Sequence, residues 1–170
     1  MRAVTVEEMR SLDREAMAAG VPGRILMDRA GYAVARAVRD ILERSGCFPG
    51  VLLVAGRGNN GGDAFAAARY LLIWGYDVAV RLAGAHTDLK GDALFHYERM
   101  TEDGIVCLDG PDAAAWNTIS PVDETCGVVV DGLLGTGAEG APHGVTAAAI
   151  EYINRLAEQV YVVSIDIPSG

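Results

Sequence analysis

The chain has 170 residues, of which 51% are hydrophobic and 22% are charged. This length and composition predict one domain with a sizeable hydrophobic core and exclude a disordered chain. The 14 Lys and Arg residues are outnumbered by 23 Asp and Glu residues, which gives a formal net charge of -9. A nucleic-acid or anionic-membrane partner is disfavoured because both require a basic surface, whereas backbone N–H groups can still bind a small phosphorylated ligand.

Cysteine usage and hydropathy indicate in which cellular compartment the protein is expected. The three cysteines, Cys47, Cys107 and Cys126, are an odd number without a Cys-x-x-Cys pair, which favours a reducing cytoplasm over a disulfide framework or a zinc site. The most apolar stretch, Ala64 to Trp74, contains Arg69 and falls short of the ~20 residues that a bilayer requires. We therefore expect a cytoplasmic protein without a membrane segment.

The first fifty residues are predicted to form two helices. Thr5-Val6-Glu7-Glu8 has the form of a capping box and precedes apolar residues at helical spacing. A second helix is indicated by apolar residues that recur every three or four positions from Met27 to Ile41, and Gly46 with Pro49 ends it. Small residues on its apolar stripe, Ala30-Gly31, predict close packing against the domain or against a second subunit.

From residue 51 onward, short apolar runs alternate with helical patterns. The predicted strands are 51–55, 76–82, 105–108, 127–131 and 160–165, and the predicted helices are 64–74, 90–100 and 145–156. Alternation of strands and helices predicts a parallel sheet with crossover helices on both faces. The expected fold class is α/β: a three-layer αβα, Rossmann-like, mostly parallel sheet preceded by two extra N-terminal helices.

The domain expectation follows from this pattern. Residues 1–170 are expected to form a single domain without repeats or linkers. The sequence stops at Pro168-Ser169-Gly170, directly after a predicted buried strand, where domains of this class normally continue. We therefore expect a domain that is truncated at its C-terminus.

A glycine-rich segment, Gly56 to Asp63, joins the first predicted strand to its helix. Gly56, Gly58 and Gly61 satisfy the Gly-x-Gly-x-x-Gly fingerprint of dinucleotide-binding loops. Arg81 lies twenty residues beyond Gly61, where some enzymes place a residue that binds a 2′-phosphate. The fingerprint alone is weak evidence for a ligand.

Two other interpretations of this segment differ in their fit. A phosphate-binding P-loop is excluded because Gly62-Asp63 stands where Lys-Ser/Thr is required. A tight turn with Asp63 as a helix N-cap, and no ligand, remains open. The Asn59-Asn60 pair favours a ligand, since amide side chains offer oxygen ligands and donors together, and the glycines expose successive N–H groups.

Two further polar segments follow predicted strands: Asp131 to Gly137, and Asp166 to Gly170. The carboxyl ends of parallel strands lie along one edge of a sheet, so these segments and the glycine loop should converge there. Each could separately be a turn, but their joint placement predicts a ligand site. A Gly-x-Ser-x-Gly elbow and zinc-ligand spacing among the histidines are absent from the sequence, which disfavours nucleophilic triads and zinc chemistry.

The sequence resembles the YjeF N-terminal domain family, the NAD(P)H-hydrate epimerases. The resemblance covers nearly the whole chain and rests on five segments: Met9 to Asp13, Leu26 to Gly31, Asn59 to Asp63, Val130 to Gly137, and Asp166 to Gly170. The chain departs from the family pattern at Arg57, where a small residue or Asn is usual, and at Ala64, where another glycine is usual.

The resemblance implies an isomerase of metabolite repair that interconverts the R and S forms of hydrated NADH or NADPH. It also implies a bound potassium ion held by oxygen atoms of Asn60, Asp131 and Ser169. Asp166 is implied to lie beside the nicotinamide end. The implied substrate-binding residues are Asn59, Asn60, Gly61, Gly62, Asp63, Gly135, Thr136, Gly137, Ala138, Glu139, Gly140, Ala141 and Asp166.

The chemistry of such a substrate suggests the hypothesis that Asp166 is the catalytic residue. Carbon 6 of the hydrated ring is a hemiaminal carbon, so loss of its hydroxyl gives a planar iminium cation to which water can return on the other face. This path needs an acid, a base and nearby negative charge, all of which a carboxylate can supply.

Two alternatives stay open at this point: an NADP-dependent oxidoreductase that uses Arg81, and a non-catalytic nucleotide-binding or scaffold module of the same fold. A homodimer, and a fused or separate dehydratase partner, are compatible with the resemblance.

Overall fold

The structure is a computed structural model that describes residues 5–119, 126–138 and 140–170. Within these ranges the chain forms six α-helices, one short 3₁₀ helix and five β-strands. In chain order these are α1 (Val6–Ala18), α2 (Gly23–Ser45), β1 (Gly50–Ala55), α3 (Asn59–Ile73), β2 (Asp77–Leu82), the 3₁₀ helix (His86–Asp88), α4 (Gly91–Glu102), β3 (Cys107–Asp109), α5 (Ala113–Asn117), β4 (Val128–Gly132), α6 (Gly144–Leu156) and β5 (Tyr161–Ser164).

The five strands form one parallel sheet in the order β3-β2-β1-β4-β5. Strand β1 lies at the centre, pairing Val54 with Arg81 of β2 on one side and with Asp131 of β4 on the other. Every residue of β1 and β4 is buried, which explains why both strands consist of apolar residues and glycine, with Asp131 of β4 as the exception. Strands β2 and β3 lie on one side of β1, and the chain then crosses back to place β4 and β5 on the other side. In sheets of this type ligands bind at such a switch point, which here lies between β1 and β4.

Helices cover both faces of the sheet and create two cores. On one face, α2, α3 and α4 pack around buried side chains such as Val38, Phe65 and Met100. On the other face, α5 and α6 contribute Trp116 and Tyr152. The predicted three-layer α/β class is therefore confirmed, and the sheet is parallel throughout the described strands.

The predicted N-terminal helices are present. In α1, the Glu8 N–H donates to Thr5 Oγ1 at 3.2 Å and the Thr5 N–H donates to Glu8 Oε2 at 2.8 Å, as a capping box requires. Helix α2 ends at Gly46, whose φ of 64° is left-handed. A Cβ on Gly31 would lie 2.5 Å from Ala66 Cβ, so this small residue allows α2 to pack against α3 within the domain.

The largest differences from the sequence prediction concern two helices. Helix α3 begins at Asn59, not Ala64, and its N-cap is Gly58, so the alternative in which Asp63 is the N-cap is wrong. The glycine-rich segment is itself the first turn of α3, which its poor helix formers concealed. Helix α5 was not predicted, because its five residues are too few to show a period; Asp112 caps it by accepting the Ala115 N–H at 2.9 Å.

Within the described ranges, every helix is too short or too polar to cross a membrane.

Candidate active site

A cleft of about 810 Å³ opens at the carboxyl ends of β1 and β4. The loop after β1, the first turns of α3, the loop after β4 and the residues after β5 form most of its wall. Helix α1 contributes Asp13, and α2 contributes Ala30, Ala33 and Val34. The three polar segments that the sequence predicted to converge at this edge of the sheet thus line one cleft.

The glycines of the β1–α3 loop have two different functions. A Cβ on Gly61 would collide with the carbonyl oxygen of Gly56, and a Cβ on Gly56 would collide with the carbonyl oxygen of Leu133. These two glycines therefore permit close packing of the loop on itself and on the segment after β4. In contrast, Gly58 has no atom within 4 Å of a Cβ position and lines the cleft, so its backbone is open to a ligand.

The N-terminus of α3 is not capped by a side chain. Its N-cap residue is Gly58, and the Gly62 N–H makes the first intrahelical bond, to Gly58 O at 3.1 Å. The N–H groups of Asn59, Asn60 and Gly61 therefore have no helical acceptor. Since the cleft lies against this turn, the helix end presents donors and partial positive charge to any anion bound there.

Asn60 connects α3 to both of the other loops. Its Nδ2 donates to Leu134 O at 2.8 Å and to Ile165 O at 3.0 Å. Both amide hydrogens are thus used, while Oδ1 lies beside Gly135, where a Cβ would approach it to 2.6 Å. The second Asn of the pair therefore fixes the relative positions of the three loops and keeps its oxygen available.

Asp131, near the end of β4, is buried behind the cleft with only 4% of its surface exposed. Its carboxylate accepts the Ser169 N–H at 2.9 Å, the Ser169 hydroxyl at 2.7 Å and the Leu133 N–H at 3.2 Å. Ser169 Oγ in turn accepts the Leu134 N–H at 3.0 Å. Within the described residues no Lys, Arg or His forms an ion pair with Asp131, so its charge is stabilised by hydrogen bonds without a cationic side chain.

Asp166 lies two residues after the end of β5 in a left-handed backbone conformation, with φ of 69°. It is the one non-glycine residue with positive φ in the described ranges, and such a conformation costs about 1–3 kcal/mol. Its Oδ2 accepts the Thr136 N–H at 2.8 Å. The unusual backbone therefore directs an exposed carboxylate into the cleft against the loop after β4.

Asp63 lies one turn into α3 and also lines the cleft. Burial first, and then the negative charges of Asp166 and Asp13, together raise the pKa of its carboxyl group to about 7. Among the described residues its carboxyl group has no hydrogen-bond donor. Asp63 and Asp166 are thus neighbouring carboxyl groups with different surroundings.

The structure brings most of the predicted substrate-binding residues to the cleft. Its lining includes Asn59, Asn60, Asp63, Gly135, Thr136, Gly137, Ala138 and Asp166. Gly61 and Gly62 are buried in packing contacts, and Gly140 and Ala141 are exposed but are not part of the lining. Glu139 lies outside the described residues. The binding and catalytic functions assigned to all these residues remain predictions.

The cleft also includes charged residues that the sequence prediction did not assign to a site. Arg57 lines it, and its guanidinium lies 3.3 Å from the Asp88 carboxylate. A charged residue inside a glycine-rich loop was a usable signal for Arg57. Asp13 belongs to a segment of the family resemblance, but its chemistry gave no signal, because a single exposed acid on an amphipathic helix is ordinary. Only the position of α1 brings it to the cleft.

Comparisons with other proteins agree with this architecture. The bifunctional NAD(P)H-hydrate repair enzyme Nnr of Thermofilum pendens is 39% identical over 171 residues, covering 100% of this chain and 32% of that protein. The NAD(P)H-hydrate epimerase of Pirellula staleyi is 36% identical over 151 residues, covering 89% of this chain and 64% of that protein. The chain thus spans about a third of the first relative and less than two thirds of the second.

A solved structure and a family profile complete the comparison. The crystal structure of yeast ynu0, YNL200c, superimposes with a TM-score of 0.84 at 23% identity, covering 100% of this chain and 72% of that chain, so the two share a fold. The profile described as YjeF-related protein N-terminus matches residues 23–170. The chain therefore belongs to the family of YjeF-related protein N-termini.

Proposed function

We propose that this chain is an isomerase of nicotinamide nucleotide repair that interconverts the R and S forms of hydrated NADH or NADPH. The observation that carries the proposal is the cleft in which an uncapped helix N-terminus and the left-handed Asp166 lie together. Relatives named as NAD(P)H-hydrate epimerases support it, among them one that is 34% identical and of which this chain covers 74%. The volume of the cleft falls within the ~300–1,000 Å³ common for small-molecule sites.

We assign the two ends of the cleft to the two ends of the ligand. The pyrophosphate is placed at the N-terminus of α3, where free N–H groups and the open Gly58 backbone favour an anion. The hydrated nicotinamide ring is placed beside Asp166. The reverse orientation would bring phosphate charges against Asp63 and Asp166, which like-charge repulsion disfavours.

The proposed reaction requires no redox partner. The ring nitrogen expels the hydroxyl from carbon 6, the planar iminium cation forms, and water returns to the opposite face. The Asp166 carboxylate stabilises the cation, and its Thr136 N–H contact holds it in position. Asp166 is the proposed catalytic residue because it combines an exposed carboxylate, a fixed orientation and a place in the cleft.

The side chains assigned to potassium fit such an ion. The Asp131 carboxylate, the Ser169 hydroxyl and the Asn60 Oδ1 are all oxygen ligands, as hard cations require. The buried charge of Asp131 has no cationic side chain near it among the described residues, and buried charges are normally paired or bound to metals. Asn60, Asp131 and Ser169 would hold the ion, which supplies a fixed positive charge behind the glycine-bearing loops.

The two alternatives have less support. An NADP-dependent oxidoreductase would use Arg81 for a 2′-phosphate, but Arg81 is not among the residues that line the cleft. A non-catalytic module would not need the strained backbone of Asp166. We further propose a cytoplasmic location, which the cysteine usage favours. We also propose a dehydratase as a fused or separate partner, because several relatives are named bifunctional repair enzymes.

The proposal is tested by mixing the protein with a sample enriched in one hydrate form and separating the R and S forms over time. We expect equilibration faster than the uncatalysed rate at the same pH, and a further increase when potassium replaces a large organic cation. If the two forms equilibrate no faster with the protein than without it, the proposed function is wrong.

A further inference from the structure

Two carboxyl groups in the cleft, on different elements, have different surroundings. Asp166 follows β5, is exposed to the cleft and accepts the Thr136 N–H at 2.8 Å. Asp63 belongs to α3, is partly buried in the wall of the cleft, and has no hydrogen-bond donor among the described residues. An N–H donor stabilises negative charge on the oxygen it contacts, whereas burial without a donor favours a neutral carboxylic acid.

The charges around Asp63 reinforce this difference. The acidic groups that face it are Asp166 and Asp13, from the segment after β5 and from α1. The residues of α2 in the cleft wall are uncharged, and Arg57 has its guanidinium against Asp88. Burial first, and then the two acidic neighbours, raise the pKa of Asp63 to about 7. Asp63 can therefore hold a proton near neutral pH beside a second carboxyl group that already accepts an N–H.

We propose that Asp63 is a second catalytic residue, which donates the proton to the departing hydroxyl group, while Asp166 accepts the proton of the returning water. This inference rests on the proposed function and deepens it. A pair of carboxyl groups with opposite protonation states provides the acid and the base of the reaction together, which a single carboxylate can do only in turn.

The proton and electron pairs balance in this scheme. The Asp63 proton moves to the hydroxyl oxygen as the C6–O bond breaks, so that one water molecule leaves with the bonding pair. The nitrogen lone pair forms the C=N bond of the iminium cation. A water molecule then forms a new C6–O bond on the other face, the C=N pair returns to nitrogen, and the released proton goes to Asp166. Proton exchange between the neighbouring carboxyl groups restores the starting state.

The test compares Asp63→Asn with wild type in the R/S separation assay between pH 5 and pH 9, with the uncatalysed rate subtracted at each pH. A proton donor must be protonated, so the wild-type kcat is expected to fall as the pH rises through about 7. Asp63→Asn is expected to lower kcat by about 10²-fold or more, to leave KM within a few-fold, and to abolish the fall at alkaline pH. Asp63→Glu should restore part of the rate together with the alkaline fall.

A matched control is Asp77→Asn, the same substitution at an exposed position at the opposite, amino-terminal edge of the sheet. It should retain the wild-type kcat and pH profile. An Asp63→Asn protein that keeps the wild-type kcat, or that loses rate but keeps the alkaline fall, would overturn the proton-donor assignment. If Asp63→Asn does not fold, a wild-type kcat that is flat from pH 6 to 9 overturns it equally.

The outcomes separate this inference from the proposed function. If the wild-type protein does not accelerate equilibration, both the proposed function and the role of Asp63 are wrong. A wild-type protein that accelerates it, with an equally active Asp63→Asn variant, removes Asp63 as the donor and leaves the epimerase activity in place.

Discussion

Asp131 and Asp63 are acids at the same edge of the sheet, yet their surroundings are opposite. Asp131 is buried at the end of β4 with hydrogen bonds from Ser169 and Leu133, whereas Asp63 lines the cleft from α3 without a donor among the described residues. Donors around a buried carboxylate fix its charge and the loops that supply them. Burial without donors instead favours the protonated carboxyl group. The first arrangement is suited to holding structure, the second to chemistry.

The largest expected effect is at Asp166, whose carboxylate carries the proposed reaction. Asp166→Asn should lower kcat by about 10²- to 10⁴-fold. The Thr136 N–H can still be accepted by the amide oxygen, so the fold and the affinity for the hydrate should change little. Steady-state kinetics in the R/S separation assay and circular dichroism measure the two effects. A folded Asp166→Asn protein with the wild-type rate would contradict the assignment.

The comparison of Asp131 with Asp63 predicts opposite effects on stability. Asp131→Asn places an NH₂ group among the Ser169 and Leu133 donors, so we expect a loss of about 3 kcal/mol in the free energy of unfolding, measured with urea. The same variant should lose any stabilisation by potassium. Asp131→Asn that is as stable as wild type would show that the hydrogen bonds around Asp131 contribute little.

Asp63→Asn is expected to increase the free energy of unfolding, and the increase should depend on pH. The pKa of the Asp63 carboxyl group is raised to about 7 in the folded chain, from an ordinary value of 3.8. Ionisation is therefore harder in the folded state, and this group lowers stability progressively between about pH 4 and pH 7, by at most about 4 kcal/mol above pH 7. Asp63→Asn should thus gain stability relative to wild type at pH 8 and not at pH 4.

The sequence predicted the loops better than it predicted their surroundings. Asn59 to Asp63 and the segment after Asp131 carry local signals, because glycine and amide side chains after a buried strand have few structural explanations. The start of α3 at Asn59 was hidden, since Asn and Gly are poor helix formers and tertiary contacts such as the Asn60 bonds override that preference.

Other features depend on contacts between distant segments, which a local pattern does not contain. The raised pKa of Asp63 depends in part on Asp13 of α1 and on Asp166 after β5, both of which come near it only in the fold. The hydrogen bonds of Asp131 depend on Ser169, which is 38 residues away in the chain. The left-handed backbone of Asp166 had no signal beyond the tolerance of Asp for this conformation. Chemistry could be assigned to residues from the sequence, but their protonation and orientation required the fold.

Alanine substitutions at two glycines of the loop after β4 should have smaller effects on stability and kcat, and the two should differ from each other. A Cβ on Gly135 would lie 2.6 Å from Asn60 Oδ1 and 2.8 Å from Asp166 Oδ2, whereas a Cβ on Gly137 would meet nothing within 4 Å. Gly135→Ala should therefore displace the Asn60 and Asp166 side chains, cost about 1–3 kcal/mol and lower kcat, while Gly137→Ala should be close to neutral. Urea unfolding and the R/S assay on both variants check this, and equal behaviour of the two would contradict the contact geometry.

The smallest expected effect is at Asp13, the acid that α1 brings to the cleft from outside the residues matched by the family profile. Its negative charge is the weakest of the three causes that raise the pKa of Asp63. Removing it in Asp13→Asn should shift the alkaline fall in kcat to lower pH by about half a unit or less, because charges near solvent interact weakly. The maximal rate should not change, since Asp63 and Asp166 both remain. Raising the ionic strength should produce a shift of the same sign in wild type and a smaller one in Asp13→Asn, because salt screens a charge that the variant lacks. If the two proteins give superimposable profiles at low salt, Asp13 does not influence the proton on Asp63, and α1 contributes only its packing to the cleft.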